Sequence, residues 1–217
     1  MELDFIHDTN EDIADAVGYR DVDAFIVRVH WGSFFFVAAM AFFASVMKVA
    51  EYYPSPFSWR VISYPEALGA VLIGFLATII PSFLVGKLKN HYLWRILVSC
   101  TLTLYTYCAV FLSGGSIEMH FFFFVVIALI MVYSDWRLGW FVLVLVGLHH
   151  AILNQVAPEW VFSYGKNDMS VLVHSAWVLF MVILTSLIVI KNQKMIRTLR
   201  GLRTREAVSV TQENPTV

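Results

Sequence analysis

A chain of 217 residues with 59% hydrophobic and only 14% charged side chains, against about a quarter charged in an ordinary soluble domain, carries more apolar surface than a single water-soluble core can bury. Its formal net charge of -1 excludes a general nucleic-acid binder. Cys100 and Cys108 fall within one apolar stretch, which excludes a structural disulfide framework.

The chain opens on an acidic segment, residues 1–27, holding Glu2, Asp4, Asp8, Glu11, Asp12, Asp15, Asp21 and Asp23. A cleavable secretory signal needs a basic start leading straight into an apolar run, so none is read here. Six apolar stretches follow, at about 28–50, 66–86, 92–113, 116–134, 138–157 and 168–190. Each reaches the roughly 17–25 residues that a helix needs to cross a bilayer. Lipid offers no hydrogen-bond partners, so each is expected to be helical, and the short links make neighbours antiparallel. The expected fold is therefore an all-α membrane protein, a six-transmembrane-helix up-and-down bundle over 28–190. Pro81, near the end of the second stretch, is expected to bend that helix without abolishing it.

Orientation follows from the positive residues at alternate ends. One side receives Arg20, Arg28, Lys87, Lys89, Arg95, Arg137, Lys191, Lys194, Arg197, Arg200, Arg203 and Arg205; the other has Lys48, Arg60 and Lys166. That asymmetry puts both termini in the cytoplasm. Trp31, Trp59, Trp94, Trp136 and Trp160 fall near span ends, where interfacial anchors sit. The tail 191–217 continues the sixth helix with basic residues and with Ile196, Leu199 and Leu202 at three-residue steps. It reads either as a headgroup-binding helix end or as a signalling helix that transmits movement out of the bundle.

The informative residues are those that lipid does not tolerate, because an imidazole in a membrane span needs a partner inside the bundle. Counted from the outer span ends at about 1.5 Å per residue, His120, His174 and the pair His149–His150 lie roughly 8–12 Å deep. Three consecutive helices thus bring histidines to one level. On the fifth helix His150 shares a stripe with Gly147 and Asn154, whereas His149 shares one with Val142, Leu145 and Leu153, so His150 is expected to point inward. Glu118 and Cys108 lie near the same level and add a carboxylate and a thiol. Isolated histidines in helices usually glue a bundle by hydrogen bonds. Several at one level favour a common partner, a transition metal ion such as copper, zinc or iron. A haem b held between two of them is the rival reading. A second, weaker set is Arg28, His30, His91 and Arg95 at the cytoplasmic boundary, where His30 and His91 would serve a further haem or metal only by facing each other. Asp135 reads as an interfacial anchor able to hold Arg95 or Arg137. A metal-dependent hydrolase using Glu118 or Asp135 as base ranks last, because no nucleophile constellation is legible, so no enzymatic activity is expected.

The run Ser113–Gly114–Gly115–Ser116–Ile117–Glu118–Met119–His120–Phe121, followed by Tyr133–Ser134–Asp135–Trp136–Arg137, His149–His150, Pro158 and His174, resembles a known pattern. It is similar to the multi-span N-terminal sensory region of bacterial diguanylate cyclases, histidine kinases and methyl-accepting chemotaxis proteins, over roughly residues 25–200. The resemblance implies a sensory input module in a bacterial inner membrane, drawing on Glu118, His120, Asp135, His149, His150 and His174. It also implies a cytoplasmic signalling output domain or protein as partner, and a homodimer. Members of the family often carry further histidines where this chain has Phe111 and Phe122, which implies a sparser site here.

Overall fold

The computed structural model describes residues 19–46, 62–88 and 91–213, with side chains as far as Leu202. Lys48, Trp59, Arg60, Lys89, the acidic segment up to residue 18, and the side chains of Arg203 and Arg205 lie outside the described residues. The elements are all helical: α1 Tyr19–Ser45, α2 Tyr64–Leu84, α3 His91–Leu112, a single turn α4 Ile117–His120, α5 Phe122–Ile130, α6 Trp136–Val156 and α7 Asp168–Glu213. Two 3-10 turns, Met131–Tyr133 and Pro158–Trp160, end α5 and follow α6. Among the described residues, α1, α2, α3, α6 and the part of α7 up to Leu202 are long and apolar enough to cross a membrane. The segment Ile117–Tyr133 is apolar but shorter.

The distribution of apolar side chains is the reverse of a soluble bundle. Phe35, Leu68, Phe83, Val144, Leu172 and Leu187 are each more than half exposed, which water would penalise and hydrocarbon would not. A third or less of the apolar window in α1, α2, α6 and α7 is buried, against 67% for α3. Helix α3 is therefore the axis, packed on α1, α2, α5 and α6. Its sequence allows this in part because small buried hydroxyls bond back to their own helix, although Thr106 Oγ1 is buried without a partner. Ser99 donates to the Arg95 carbonyl at 2.8 Å and Thr103 to the Ser99 carbonyl at 2.7 Å, so close helix packing leaves no unpaired hydroxyl at these positions.

Local signals set the helix ends. At the start of α2 Ser63 and Glu66 form a capping box: the Ser63 amide and hydroxyl donate to the Glu66 carboxylate at 2.9 and 2.7 Å. Helix α2 runs through Pro81 to Leu84. Asp135 caps α6 by accepting from the Arg137 amide at 3.1 Å.

Two expected boundaries move. Helix α1 begins at Tyr19, nine residues ahead of the expected position 28, and so includes the last third, residues 19–27, of what reads as an acidic tail. The reason is a buried polar knot. Asp23 is 8% exposed and its carboxylate accepts from the Trp94 indole at 2.6 Å and the Tyr133 hydroxyl at 3.0 Å. With its charge taken up inside the bundle, an acid no longer marks the end of a span. The fourth apolar stretch breaks at Phe121 into α4 and α5 and ends at Ser134, which has a left-handed backbone (φ 53°).

The same end of the bundle holds a second knot. Asp135, 1% exposed, pairs with Arg137 through two side-chain bonds of 2.9 Å and with buried Arg95 at 3.3 Å. The Arg95 guanidinium also lies 5.1 Å from the centre of the Tyr19 ring, a cation–π contact. Helix α7 joins through Gln193, whose amide donates to the Ser134 carbonyl at 2.6 Å. One cluster thus ties α1, α3, α5, α6 and α7 together.

Candidate functional site

At the opposite end of the helices the chain turns back through Gly114 and Gly115, both with positive φ. Gly115 has no room for a side chain: a Cβ there would lie 2.5 Å from the Phe162 amide nitrogen. Its carbonyl accepts from the Ser163 amide at 3.3 Å. The loop after α6 is fixed from its other side by Asn154, buried to 1% exposure, which donates to Asp168 at 2.7 Å and accepts from the Asn167 amide at 2.9 Å. These contacts hold the Phe162 ring inside the bundle, where it stacks on His120 with centroids 5.7 Å apart and planes 7° from parallel. Gly115→Ala is expected to cost about 1–2 kcal/mol in backbone conformation alone and to displace Phe162. Thermal unfolding in detergent checks the first effect, and unchanged stability would show that the loop yields.

Three histidines meet beneath Phe162. The His120, His150 and His174 rings come from α4, α6 and α7, with centroid separations of 5.3 Å for His120–His150, 5.0 Å for His120–His174 and 5.9 Å for His150–His174. Each engages its own helix in the same way. His120 Nδ1 lies 2.8 Å from the Ser116 carbonyl, His150 Nδ1 2.9 Å from that of Val146, and His174 Nδ1 2.7 Å from that of Ser170. A carbonyl oxygen can only accept, so each Nδ1 carries the hydrogen, and in the neutral ring Nε2 is left as a bare lone pair. The Nε2 atoms of His120 and His150 are enclosed and have no hydrogen-bond partner. Three neighbouring rings tautomerised alike offer one another acceptors and no donor, an arrangement that a cation or an incoming donor relieves.

The separations fit such a cation. A metal–nitrogen distance of about 2.0–2.1 Å, with ~1.1 Å from nitrogen to ring centre, puts tetrahedrally arranged imidazoles roughly 5 Å apart, centre to centre. As the side chains stand, no group of three or more His, Cys, Asp or Glu among the described residues is set to hold a metal ion. The spacing of the rings is present, and the convergence of their nitrogens is not.

The other sequence-derived candidates fall elsewhere. His149 is stacked on Tyr107, centroids 4.0 Å apart and planes 3° from parallel, and its ring meets that of His150 edge-on at 5.2 Å; its own Nε2 is likewise enclosed without a hydrogen-bond partner. It shares with Tyr107 and Cys108 a separate cavity of about 410 Å³ between α2, α3 and α6. Cys108 directs its thiol at the Ala70 carbonyl, 3.8 Å away. Glu118 lines a cleft against α1 with Gly32, Ser33 and Phe36, not the chamber of the three rings. His30 and His91 are not brought together. His30 is buried, 2.8 Å from the Ile26 carbonyl through Nδ1 and 2.8 Å from the Thr101 hydroxyl through Nε2. Thr101 lies ten residues beyond His91 along α3, about 15 Å, and His91 stacks on Tyr19 at 5.6 Å. Asp135 belongs to the structural knot at the far end. Sequence reading missed Phe162 altogether, and its only signal there is the short Pro158–Trp160 turn that aims it inward.

No family model matches this chain, and no curated protein or solved structure is detectably similar to it.

Proposed function

We propose that this chain is a membrane-embedded sensory input module of six spans with cytoplasmic termini, in which His120, His150 and His174 bind a transition metal ion in the outer half of the bilayer. Counting Ile117–Tyr133 as the fourth span supports the six-span reading: its 17 residues reach the lower limit for crossing hydrocarbon, about 17. The observation that carries the metal reading is the shared tautomer of three neighbouring imidazoles, each anchored through Nδ1, with the Nε2 atoms of His120 and His150 buried and unpartnered. A small rotation of the rings on binding would bring the nitrogens to the ion, so the site orders as it fills. Because one ligand sits on α7, occupancy biases the position of that helix and of its basic extension. The bias is limited to the ion's differential affinity for two arrangements, typically ~1–3 kcal/mol. The output is then read by a cytoplasmic domain or protein, and no catalysis is assigned to the chain.

A second reading, a b-type haem protein, is favoured by one observation: the three rings open onto an aromatic chamber of about 560 Å³, which suits an apolar macrocycle. The visible spectrum and metal content of detergent-purified protein separate the two. A metal ion near one per chain without a Soret band is the expected result, and it is expected to be lost in both His120→Ala and His174→Ala. Full retention of metal in both variants would remove the site from this end of the bundle, and a Soret band would replace the ion by haem.

A further inference from the structure

The chamber beside the three histidines has a direction. Besides His120, His150 and His174 it is walled by residues such as Phe121, Phe124, Val173, Trp177, Phe180 and Met181, so its only side-chain heteroatoms apart from the imidazoles are the Trp177 indole nitrogen and the Met181 sulfur. Phe121, Val173, Trp177 and Phe180 are at the same time 48–59% exposed on the outside of the bundle. The chamber therefore lies between α4–α5 and α7 with its mouth on the surface that faces lipid, not on the loops that face water. On the loop side Phe162 covers the rings, lying 5.4–5.8 Å from each.

Three imidazoles around a tetrahedral ion leave a fourth coordination position, and this chamber is a roomy space that all three rings line. A ligand there gives up water for aromatic walls, so a charged or strongly hydrated molecule is penalised and an apolar one is not. Resting on the metal reading above, we infer that the site takes a membrane-soluble ligand: a compact apolar body carrying one neutral nitrogen, oxygen or sulfur donor, which enters sideways from the bilayer between α4–α5 and α7. Its lone pair forms the fourth bond to the ion, displacing at most a water. The sensed species is thus a lipid-partitioning donor and the ion is its receptor.

Cobalt(II) makes this measurable, since its visible bands shift when a fourth ligand binds. Purified protein loaded with cobalt is titrated with imidazole and with 4-phenylimidazole, which present the same donor with and without an apolar body. The expected result is 4-phenylimidazole binding at least about tenfold more tightly, as burial of a phenyl group in an apolar chamber requires. In Val173→Trp, which fills the chamber without replacing a histidine, the preference is expected to collapse to within about threefold while cobalt stays bound. Met181→Trp fills it from about two turns farther along α7 and serves if the first variant does not take up cobalt; if neither does, the wild-type ratio measured at two detergent concentrations decides, since a preference that follows micelle concentration is partitioning and overturns the inference. A wild-type ratio near one overturns the inference, as does an undiminished preference in a filled variant that retains cobalt, because detergent partitioning then explains it. Wild-type protein that takes up no cobalt sinks the metal reading itself, whereas normal uptake without phenyl preference sinks only the lateral ligand.

Discussion

Asp135→Ala is expected to destabilise the bundle by about 3–5 kcal/mol, the range found when one partner of a buried ion pair is removed. The carboxylate is 1% exposed and holds two guanidinium groups. Of these Arg137 is a third exposed and can turn outward, whereas Arg95 is 6% exposed and cannot. The variant therefore strands one buried positive charge and also removes the α6 cap, itself worth about 0.5–2 kcal/mol. Thermal or denaturant unfolding in a fixed detergent measures the loss. Pairing the substitution with Arg95→Met removes the stranded charge and is expected to recover most of the stability. A loss under about 1 kcal/mol in the single variant would mean that water or headgroups reach Arg95, and that the knot is less closed than its hydrogen bonds indicate.

His150→Ala is expected to lower metal affinity by more than about 100-fold. Disturbing a group that merely orients a ligand already costs some 10–100-fold, and this change deletes the ligand itself. His149→Ala is expected to stay within about tenfold, because that ring lies against Tyr107 and meets His150 edge-on. Equilibrium metal competition on the two purified variants makes the comparison, and the reverse order would move the site to the Tyr107 side of α6.

Apolar run length alone locates α2, α3 and α6 to within about two residues of where they begin and end. Nothing charged interrupts those runs except residues at their edges. It fails at α1, because Asp21, Asp23 and Arg28 read as water-facing until Trp94 and Tyr133 are seen to receive Asp23, and those partners are 71 and 110 residues away. The break at Phe121 is equally illegible: Phe121 to Phe124 is as apolar as any helix interior, and the interruption is one residue long with right-handed helical angles (φ -62°, ψ -20°). For the candidate site, depth counting could place His120, His150 and His174 at one level, since rise per residue is fixed once the spans are. Facing was harder. The Gly147–Asn154 stripe pointed His150 inward, but no local pattern could turn Glu118 toward α1, because its direction is set by the single turn α4. Phe162 sits in a loop, where periodicity says nothing.

The bond from Gln193 to the Ser134 carbonyl has a mechanical meaning. His174 and Gln193 lie nineteen residues apart on one unbroken helix, about 28 Å, one at the histidine chamber and the other at the Asp135 knot. A piston stroke of α7 by a single residue, about 1.5 Å, would lengthen that 2.6 Å contact to between about 3 Å and about 4 Å, weakening it across the stroke and breaking it along the bond. If α7 moves as the proposed sensor reading requires, this contact would act as a detent, favouring one position of the shaft over its neighbours.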